Sequence, residues 1–269
     1  SGALITRGHV AGLPALQILV AAREVRSGGI RWQREPASLG TMSATPDDDL
    51  MVTDDGAVVV SGSGRLTDGS GVFHAVKLGV ADGNERWTAT LPRSVEGTTT
   101  RLGRDATGRV RMYAGGGTGT SASSRDLDLL EASLDGESGR ALWVRRLDEA
   151  AVVLTSTSCT SARYRGKAIA MDDAGNAVVA GCRATASDGA DFDLVSFAPD
   201  GMQRWRVEAP GGGAGAAINA MAFDTAGNLL YAGQTESNGG AALVEKRRGL
   251  DGALIWRMRE DGAGPAQSI

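Results

Sequence analysis

Residue types that usually build catalytic and metal centres are scarce in this chain. It contains two histidines, two cysteines and only 4% aromatic residues. His9 and His74 have no cysteine or carboxylate companion at the spacing of a metal site. The nucleophile elbow G-x-S-x-G is absent, and the Gly/Ser-rich segment at 117–124 is interpreted as a loop between strands rather than a phosphate cradle. We therefore assign no catalytic residue, no metal ligand and no cofactor from the sequence.

Long apolar runs are also missing. The longest, residues 13–22, is interrupted by Gln17 and is far shorter than the roughly 20 residues of a membrane-spanning helix. It resembles the core of a signal peptide, but arginines and a Gly-rich turn follow it where a cleavage site would lie, so we interpret it as a strand. The 28 basic and 32 acidic residues give a net charge of −4, which argues against a nucleic-acid partner.

Glycine, by contrast, is abundant, and it recurs at fixed positions. The 39 glycines are about twice the usual share. The five tryptophans are spaced by 55, 56, 62 and 51 residues, and each has a glycine four positions before it. These tryptophans are Trp32, Trp87, Trp143, Trp205 and Trp256. A structural repeat of roughly 50 residues follows from this spacing.

Each repeat contains four short segments with the composition of β-strands. A typical unit has a first strand at 168–171, an Asp/Gly turn, an apolar second strand at 177–180, a third strand at 193–197 and a fourth that carries Trp205. Short, partly β-branched strands bounded by Asp/Gly turns are typical of antiparallel hairpins. Four such strands per unit predict the blade of a β-propeller, and we expect residues 1–269 to form one all-β propeller domain.

The two ends of the chain predict how the blades are arranged. The chain starts at the turn between the first and second strands of a blade, and residues 263–269 align with the start of a first strand at 214–220. Pairing of the C-terminal strand with the N-terminal blade would close a ring of five blades and leave no unpaired inner edge. The alternative is a fragment of a ring with six to eight blades.

Two repeat families resemble these segments. Residues 132–147, with Trp143, resemble the tryptophan-docking repeats of quinoprotein-type (PQQ-like) propellers, and residues 168–181 with 191–205 are similar to bacterial SBBP-type β-propeller repeats. The resemblance covers almost the whole chain. It implies the fold but no activity, because such repeats occur in proteins of unlike function. It also implies that all five tryptophans pack against the neighbouring blade.

The resemblance raises the question of a quinone or metal site. Related dehydrogenases use a metal-bound quinone with a catalytic aspartate, a calcium shell and sometimes a vicinal cysteine pair. The Cys-Cys dipeptide is absent here, and no catalytic or metal-binding motif of that family matches. The Asp-rich turns at 47–49 and 172–173 lack the spacing of an EF-hand, and we interpret their carboxylates as hydrogen-bonding their own turns.

Cys159 and Cys182 form a candidate disulfide. Cys182 follows the second strand of its blade, and Cys159 lies before the first strand, so antiparallel pairing places both at one edge of the blade. A bridge would close a loop of about 22 residues and stabilise the fold by about 3 kcal/mol. Two separate buried thiols are the alternative. A bridge would indicate an oxidising compartment, and the resemblance also favours a periplasmic, secreted or cell-surface protein of the bacterial envelope.

The function predicted from these features is a non-enzymatic binding or assembly module. The loops between second and third strands differ most in sequence and are rich in Ser, Gly, Thr and Asp, which suits contacts with a protein or glycan partner. These loops are residues 62–71, 115–126, 183–191 and 234–240. The first alternative is a degenerate quinoprotein-like or hydrolytic propeller enzyme with a site in the central channel. The second is a structural subunit within a larger complex.

Overall fold

The computed structural model describes most of the chain as β-strands joined by tight turns. The described residues are 3–12, 15–36, 41–42, 49–65, 71–92, 99–105, 107–118, 126–147, 169–184, 190–209, 217–235 and 241–261. They contain twenty strands and no helix, so the all-β prediction is confirmed for this part of the chain. None of these residues forms a helix long and apolar enough to cross a membrane.

The strands group into five antiparallel sheets that follow one another along the chain. The first sheet holds β1 (Ala3–Gly12), β2 (Ala15–Glu24) and β3 (Ile30–Arg34), followed by the short β4 (Thr41–Met42). The second holds β5 (Asp49–Val52), β6 (Ala57–Arg65), β7 (Gly71–Gly79) and β8 (Glu85–Pro92). The third holds β9 (Thr99–Arg104), β10 (Val110–Thr118), β11 (Asp126–Leu134) and β12 (Ala141–Leu147). The fourth holds β13 (Ile169–Met171), β14 (Ala177–Ala184), β15 (Ala190–Phe197) and β16 (Gln203–Ala209). The fifth holds β17 (Ala217–Phe223), β18 (Leu229–Thr235), β19 (Ala241–Arg247) and β20 (Leu254–Asp261).

Strand order in the second to fifth sheets follows the chain order, as expected for propeller blades. The two-residue strand β4 pairs with β2, where Met42 lies opposite Leu16, and with β6, where Thr41 lies opposite Arg65. It thereby joins the first and second sheets into one eight-stranded sheet. Among the described residues, β1 lies at an edge of the first sheet and pairs only with β2.

Glycine sets the geometry of the turn between the third and fourth strands. In the second sheet, the Gly83 amide donates to the Gly79 carbonyl at 2.8 Å, and the Gly79 amide donates to the Asn84 carbonyl at 2.9 Å. Gly83 has a φ of 68°, a backbone conformation that residues other than glycine rarely adopt. The corresponding turns of the first, third and fifth sheets repeat both hydrogen bonds. The recurring glycine in the sequence therefore marks this turn.

The sheets fall into two compact units: the first holds β1–β12 apart from residues 117–118 and 126–127 at the ends of β10 and β11, and the second holds those residues and β13–β20. In the first unit, one apolar core lies between the first and second sheets and another between the second and third. In the second unit, a core lies between the fourth and fifth sheets and contains Val178, Leu194 and Trp205 from one and Leu229 and Tyr231 from the other. The prediction of a single propeller domain stays a prediction.

First strands of successive sheets lie next to each other within each unit: β5 contacts β9, and β13 contacts β17. Asp49 on β5 accepts a hydrogen bond from the Leu102 amide on β9 at 2.8 Å. The buried hydroxyls of Ser61 and Thr100 lie 2.8 Å apart. Side chains on β5 and β6 of the second sheet are thus hydrogen-bonded to β9 of the third. Closure of the ring stays a prediction, because residues 263–269 lie outside the described part of the chain.

Candidate functional site

Three tryptophans bridge neighbouring sheets with the same geometry. The indole Nε1 of Trp32 donates to the Val80 carbonyl at 2.6 Å, that of Trp87 to Gly136 at 3.1 Å, and that of Trp205 to Gly249 at 2.9 Å. Each acceptor belongs to the glycine turn of the following sheet. These three side chains are buried, with 6–8% of their surface exposed.

The following sheet also provides a glycine against which each indole packs. A Cβ atom built on Gly83 would lie 2.7 Å from the Trp32 ring, and one on Gly139 would lie 2.6 Å from the Trp87 ring. On Gly252, such an atom would lie 2.9 Å from the Trp205 ring. The glycine found four residues before one tryptophan therefore makes room for the tryptophan of the preceding unit. We call this arrangement the tryptophan–glycine dock.

The other two tryptophans differ. The guanidinium group of Arg111 stacks on the Trp143 ring, and its Cζ atom lies 4.3 Å from the ring centroid. Trp256 on β20 is 41% exposed. That all five tryptophans hold blades together stays a prediction.

A buried polar cluster interrupts the apolar pattern of the third sheet. Arg111 and Tyr113 project from β10 and Glu131 from β11, and all three are 0–2% exposed. Glu131 Oε1 accepts a hydrogen bond from the Tyr113 hydroxyl at 2.5 Å and lies 2.9 Å from Arg111 Nη2. The guanidinium of Arg111 stacks on Trp143, which desolvates it without removing its charge. We call these three residues the Glu131 cluster.

The electrostatics of the Glu131 cluster suit proton transfer near neutral pH. Burial raises the pKa of the Glu131 carboxyl to about 7, against the opposing effects of the Tyr113 hydrogen bond and the Arg111 charge. Burial and the nearby carboxylate raise the pKa of Tyr113 well above its usual value, so its hydroxyl stays protonated. A carboxyl group that titrates near pH 7 can serve as an acid in one step and as a base in the next.

One oxygen of the Glu131 carboxyl remains to be satisfied. Glu131 Oε2 is buried and has no hydrogen-bond partner among the described residues. The Ser133 hydroxyl, two residues further along the same face of β11, is also buried and lacks a partner there. Residues i and i+2 of a strand lie about 7 Å apart. Ser196 occupies the equivalent position opposite a tryptophan in the fourth sheet and is also without a partner there, so Ser133 alone marks nothing. Of the eight buried side-chain atoms without a hydrogen-bond partner among the described residues, Glu131 Oε2 is the one carboxylate oxygen.

A second buried carboxylate shows what a saturated cluster looks like. In the fifth sheet, Glu245 accepts hydrogen bonds from Tyr231 and from Arg247 on Oε2, and from Arg257 on Oε1. Both of its oxygens have partners, and the Arg247 guanidinium also donates to the Gly252 carbonyl at 3.1 Å. We interpret this set as a structural ion-pair network between strands, and it serves below as the matched comparison for Glu131.

The Glu131 cluster was not predicted from the sequence, although the repeat contains a signal for it. Arg111 stands where the second and fourth sheets have Val59 and Val178, and Glu131 stands where they have Ala75 and Leu194. In a repeat protein, the shared pattern shows what packing alone requires, so a charged residue at an apolar position indicates a different role. These charged residues become apparent only when the five units are aligned residue by residue with allowance for the extra residue in the third hairpin.

The remaining predicted sites are distributed over the chain. Cys182 lies on β14 opposite Phe192, while Cys159 lies outside the described residues, so their disulfide stays a prediction. His74 is buried, and its Nδ1 lies 3.1 Å from the Thr90 hydroxyl; burial lowers its pKa. Most of the predicted binding-loop residues also lie outside the described part. Among the described residues, no three His, Cys, Asp or Glu side chains converge as a metal site would require.

Several solved structures share the fold at low sequence identity. A protein of unknown function from Bacteroides caccae matches with a TM-score of 0.51 and 12% identity, over 96% of this chain and 73% of that one. A europium-containing methanol dehydrogenase matches with a TM-score of 0.54 and 14% identity, over 94% of this chain and 49% of that one. An ulvan lyase, a polysaccharide lyase of family PL25, matches with a TM-score of 0.50 and 9% identity, over 92% and 62%.

These matches support the β-propeller fold predicted from the repeats, and at such identities they show the fold alone. The chain spans about half the length of the methanol dehydrogenase and less than two thirds of the lyase. No protein-family model and no curated protein matches the chain. Membership of the SBBP or quinoprotein repeat families therefore stays a prediction.

The prediction that the protein is not an enzyme is wrong. That prediction treated the absence of a recognised catalytic motif as evidence for a scaffold. Two of these three structures with the same fold are enzymes. The sequence motifs did not indicate the Glu131 cluster either, because a group that becomes reactive through burial has no local sequence motif.

Proposed function

We propose that the chain is the propeller of an enzyme that cleaves glycosidic bonds by acid–base chemistry, with Glu131 as the group that transfers protons. The observation that carries the proposal is the Glu131 carboxyl itself: it is buried, its pKa is about 7, and one oxygen has no partner among the described residues. Groups perturbed in this way concentrate at functional sites.

The cluster contains a proton donor for such a step. Protonated Glu131 would donate its proton from Oε2 to the leaving oxygen, and the carboxylate formed would be stabilised by Arg111 and Tyr113 on Oε1. As the glycosidic C–O bond breaks, a water molecule would bond to the anomeric carbon and release a proton to solvent, and the carboxylate would take up a proton from solvent and return to its starting state. A general acid positioned in this way contributes about 10²–10⁴-fold to a rate.

The fold comparisons support a carbohydrate substrate as the first to test. One structure of similar fold is a polysaccharide lyase, so this architecture carries carbohydrate cleavage in that protein. Acid–base cleavage also needs a proton donor that titrates near neutral pH, which Glu131 would provide. It corresponds to the hydrolytic alternative drawn from the sequence, but its acid, Glu131, lies on the third strand of a blade rather than on a first strand.

The test is glycan cleavage by the wild type and by Glu131→Gln, measured from pH 5 to 9 on neutral and uronic-acid polysaccharides. Wild-type kcat should change through a group that titrates near pH 7, and Glu131→Gln should lower kcat at least about a hundredfold and abolish that titration. Glu245→Gln is the matched control, since it makes the same change in a buried Tyr/Arg cluster and should leave kcat of the folded protein unchanged.

Two results would overturn the proposal. One is cleavage by Glu131→Gln at the wild-type rate, and the other is the absence of glycan cleavage by folded wild-type protein across this pH range. Circular dichroism of each variant shows whether it is folded, so that activities are compared only between folded proteins.

We further propose that the protein works in the bacterial envelope or outside the cell and that its loops between second and third strands contact a protein or glycan partner. Support comes from the resemblance to secreted repeats, from the Cys159/Cys182 pair and from the variable, polar composition of these loops. A glycan contacted by these loops would be compatible with a carbohydrate substrate.

A further inference from the structure

Arg111 makes contacts that span the third sheet. Its guanidinium stacks on the Trp143 ring with Cζ 4.3 Å from the ring centroid, and its Nη2 lies 2.9 Å from Glu131 Oε1. Arg111 belongs to β10 and Trp143 to β12, and β11, which carries Glu131, lies between these two strands. Since neighbouring strands are about 4.8 Å apart, the Arg111 side chain has to cross β11 to reach the indole. The three residues therefore form one continuous series of contacts within a single sheet.

A small residue in the middle strand leaves the path across β11 open. Ser133 on β11 lies directly opposite Trp143. The equivalent position, opposite the tryptophan of each unit, is alanine or serine in the first and fourth sheets and lysine in the second and fifth. A lysine at position 133 would cover the surface over which the Arg111 side chain extends, so the serine keeps this surface available.

The indole ring restricts the orientation of the guanidinium. A guanidinium group is planar and stacks on an aromatic face, so the Trp143 ring defines the plane in which the Arg111 nitrogens lie. In that plane Nη2 meets Glu131 Oε1, which also accepts a hydrogen bond from the Tyr113 hydroxyl at 2.5 Å. Two donors thus hold Oε1, and Oε2 is left to carry the proton.

The Glu245 network holds its arginine in a different way. Arg247 donates to Glu245 Oε2 from Nε at 2.8 Å, and its Nη1 donates to the Gly252 carbonyl at 3.1 Å. Its Cζ lies 5.9 Å from the Tyr231 ring centroid, against 4.3 Å for Arg111 over Trp143. A backbone carbonyl therefore orients the arginine of the saturated network, whereas the closer ring contact orients the arginine beside Glu131.

We propose that Trp143 is a positioning residue for the acid of the reaction, acting through Arg111, which it holds against Glu131 Oε1. This role rests on the proposed function, in which Glu131 is the acid, and it comes in addition to the contact between sheets predicted for all five tryptophans. Removing the ring would let the guanidinium leave Oε1. The carboxylate would then lose a stabilising charge, so the pKa of Glu131 would rise.

The titration of Glu131 is measured without substrate, by carboxyl-carbon NMR of the folded full chain from pH 4 to 9, with Glu131→Gln to assign the signal. Trp143→Leu keeps an apolar side chain but removes the ring. It should raise the midpoint by about one unit, since an opposite charge within about 4–6 Å lowers a carboxyl pKa by roughly 1–3 units. Trp143→Phe keeps a face for stacking and should stay within about half a unit of the wild type. Tyr113 and Arg145, the other groups of the third sheet that act on Glu131, are unchanged in these variants.

Two further variants separate positioning from packing. Trp87→Leu makes the same change in the second sheet, where the indole packs on Gly139, and should leave the Glu131 midpoint unchanged. Arg111→Lys keeps the indole and the charge but lacks the planar group, so it should raise the midpoint as Trp143→Leu does. In the Arg111→Lys background, Trp143→Leu should have less than about half of its effect in the wild type, because the two residues act as a unit. If Trp143→Leu does not fold, Arg111→Lys must show the shift by itself.

Glycan cleavage by the same variants connects the titration with the reaction. The pH of half-maximal kcat should move with the NMR midpoint, and kcat of Trp143→Leu at low pH should fall by at most about tenfold, since one pKa unit corresponds to a factor of ten. The positioning role is overturned if neither Trp143→Leu nor Arg111→Lys moves the midpoint, or if Trp87→Leu moves it equally. An unmoved midpoint together with Glu131-dependent cleavage would overturn this role and keep the proposed function. A moved midpoint in a protein that cleaves no glycan would keep the positioning of Glu131 and overturn the proposed function.

Discussion

At the scale of single residues, the glycines of the docks combine two demands that can be separated. Gly139 needs both a positive φ and the absence of a side chain, because Trp87 occupies the space where a Cβ would lie. Gly56 has the same φ of 71° but no neighbour within 4 Å of a Cβ position among the described residues. The two glycines therefore share one constraint and differ in the other.

This difference gives a prediction. Gly56→Ala should cost about 1 kcal/mol of unfolding free energy from backbone strain. Gly139→Ala should cost that amount and roughly 1–3 kcal/mol more, because the Trp87 ring must move. Urea unfolding of both variants measures the difference, and the effect of glycine on the unfolded chain cancels between them. Equal costs would show that Trp87 is not packed on Gly139 in solution.

The sequence alone revealed the tryptophan–glycine spacing but not its physical meaning. The spacing relates Trp143 to Gly139 within one unit, whereas the contact is made between Gly139 and Trp87 of the unit before it. Sequence patterns define positions along a strand or turn, and contacts between sheets require the packing of the folded chain. For the same reason the Glu131 cluster was missed, since its raised pKa comes from burial.

At the scale of strands, a buried lysine connects β7 with the turn of the next sheet. Lys77 Nζ lies 2.6 Å from Asp55 Oδ2 and donates to the Gly136 carbonyl at 2.9 Å, the same oxygen that receives the Trp87 indole. The hydrogen bond from Lys77 lowers the pKa of Asp55 from 3.8 to about 2. Since the folded pKa is depressed, this pair stabilises the fold above about pH 4 and loses its contribution as the pH falls through 2.

The pair should be visible in acid unfolding. The unfolding free energy of the wild type, relative to that of Lys77→Met, should fall between pH 4 and pH 2. The change should be below about 1 kcal/mol, because Asp55 is largely exposed and solvent screens the pair. Urea midpoints at half-unit pH steps measure it. Lys246→Met is a second test of the same effect, since the hydrogen bond from Lys246 lowers the pKa of Asp224 to about 2 and its removal should give a difference that falls over the same pH range. A pH-independent difference between the wild type and Lys77→Met would contradict the assignment.

Strand existence and order were predictable from the sequence because they depend on local features. Asp/Gly turns end each strand, and apolar residues at every second position define its buried face. The first sheet departs most from the prediction, because the two-residue β4 joins it to the second sheet through pairs at Leu16 and Arg65. Such a short strand has no pattern of its own and forms only where two longer strands position it.

At the scale of the whole molecule, stability is distributed along a series of sheets. Within each compact unit, neighbouring sheets are joined by apolar cores and tryptophan–glycine docks, so stability depends on the sum of these interfaces. The sequence repeat predicted this organisation, because regular units with a core-forming residue in each have to stack. It did not predict which tryptophans are buried, because burial depends on the surface that packs against each side chain.

The series of docks is the central claim, and unfolding of two tryptophan variants tests it most directly. Urea unfolding compares Trp87→Ala with Trp256→Ala. We expect Trp87→Ala to lose about 3–5 kcal/mol because it leaves a cavity between two sheets, and Trp256→Ala to lose less than about 1 kcal/mol because its side chain is exposed. Equal losses in the two variants, or a loss below about 1 kcal/mol for Trp87→Ala, would contradict the account.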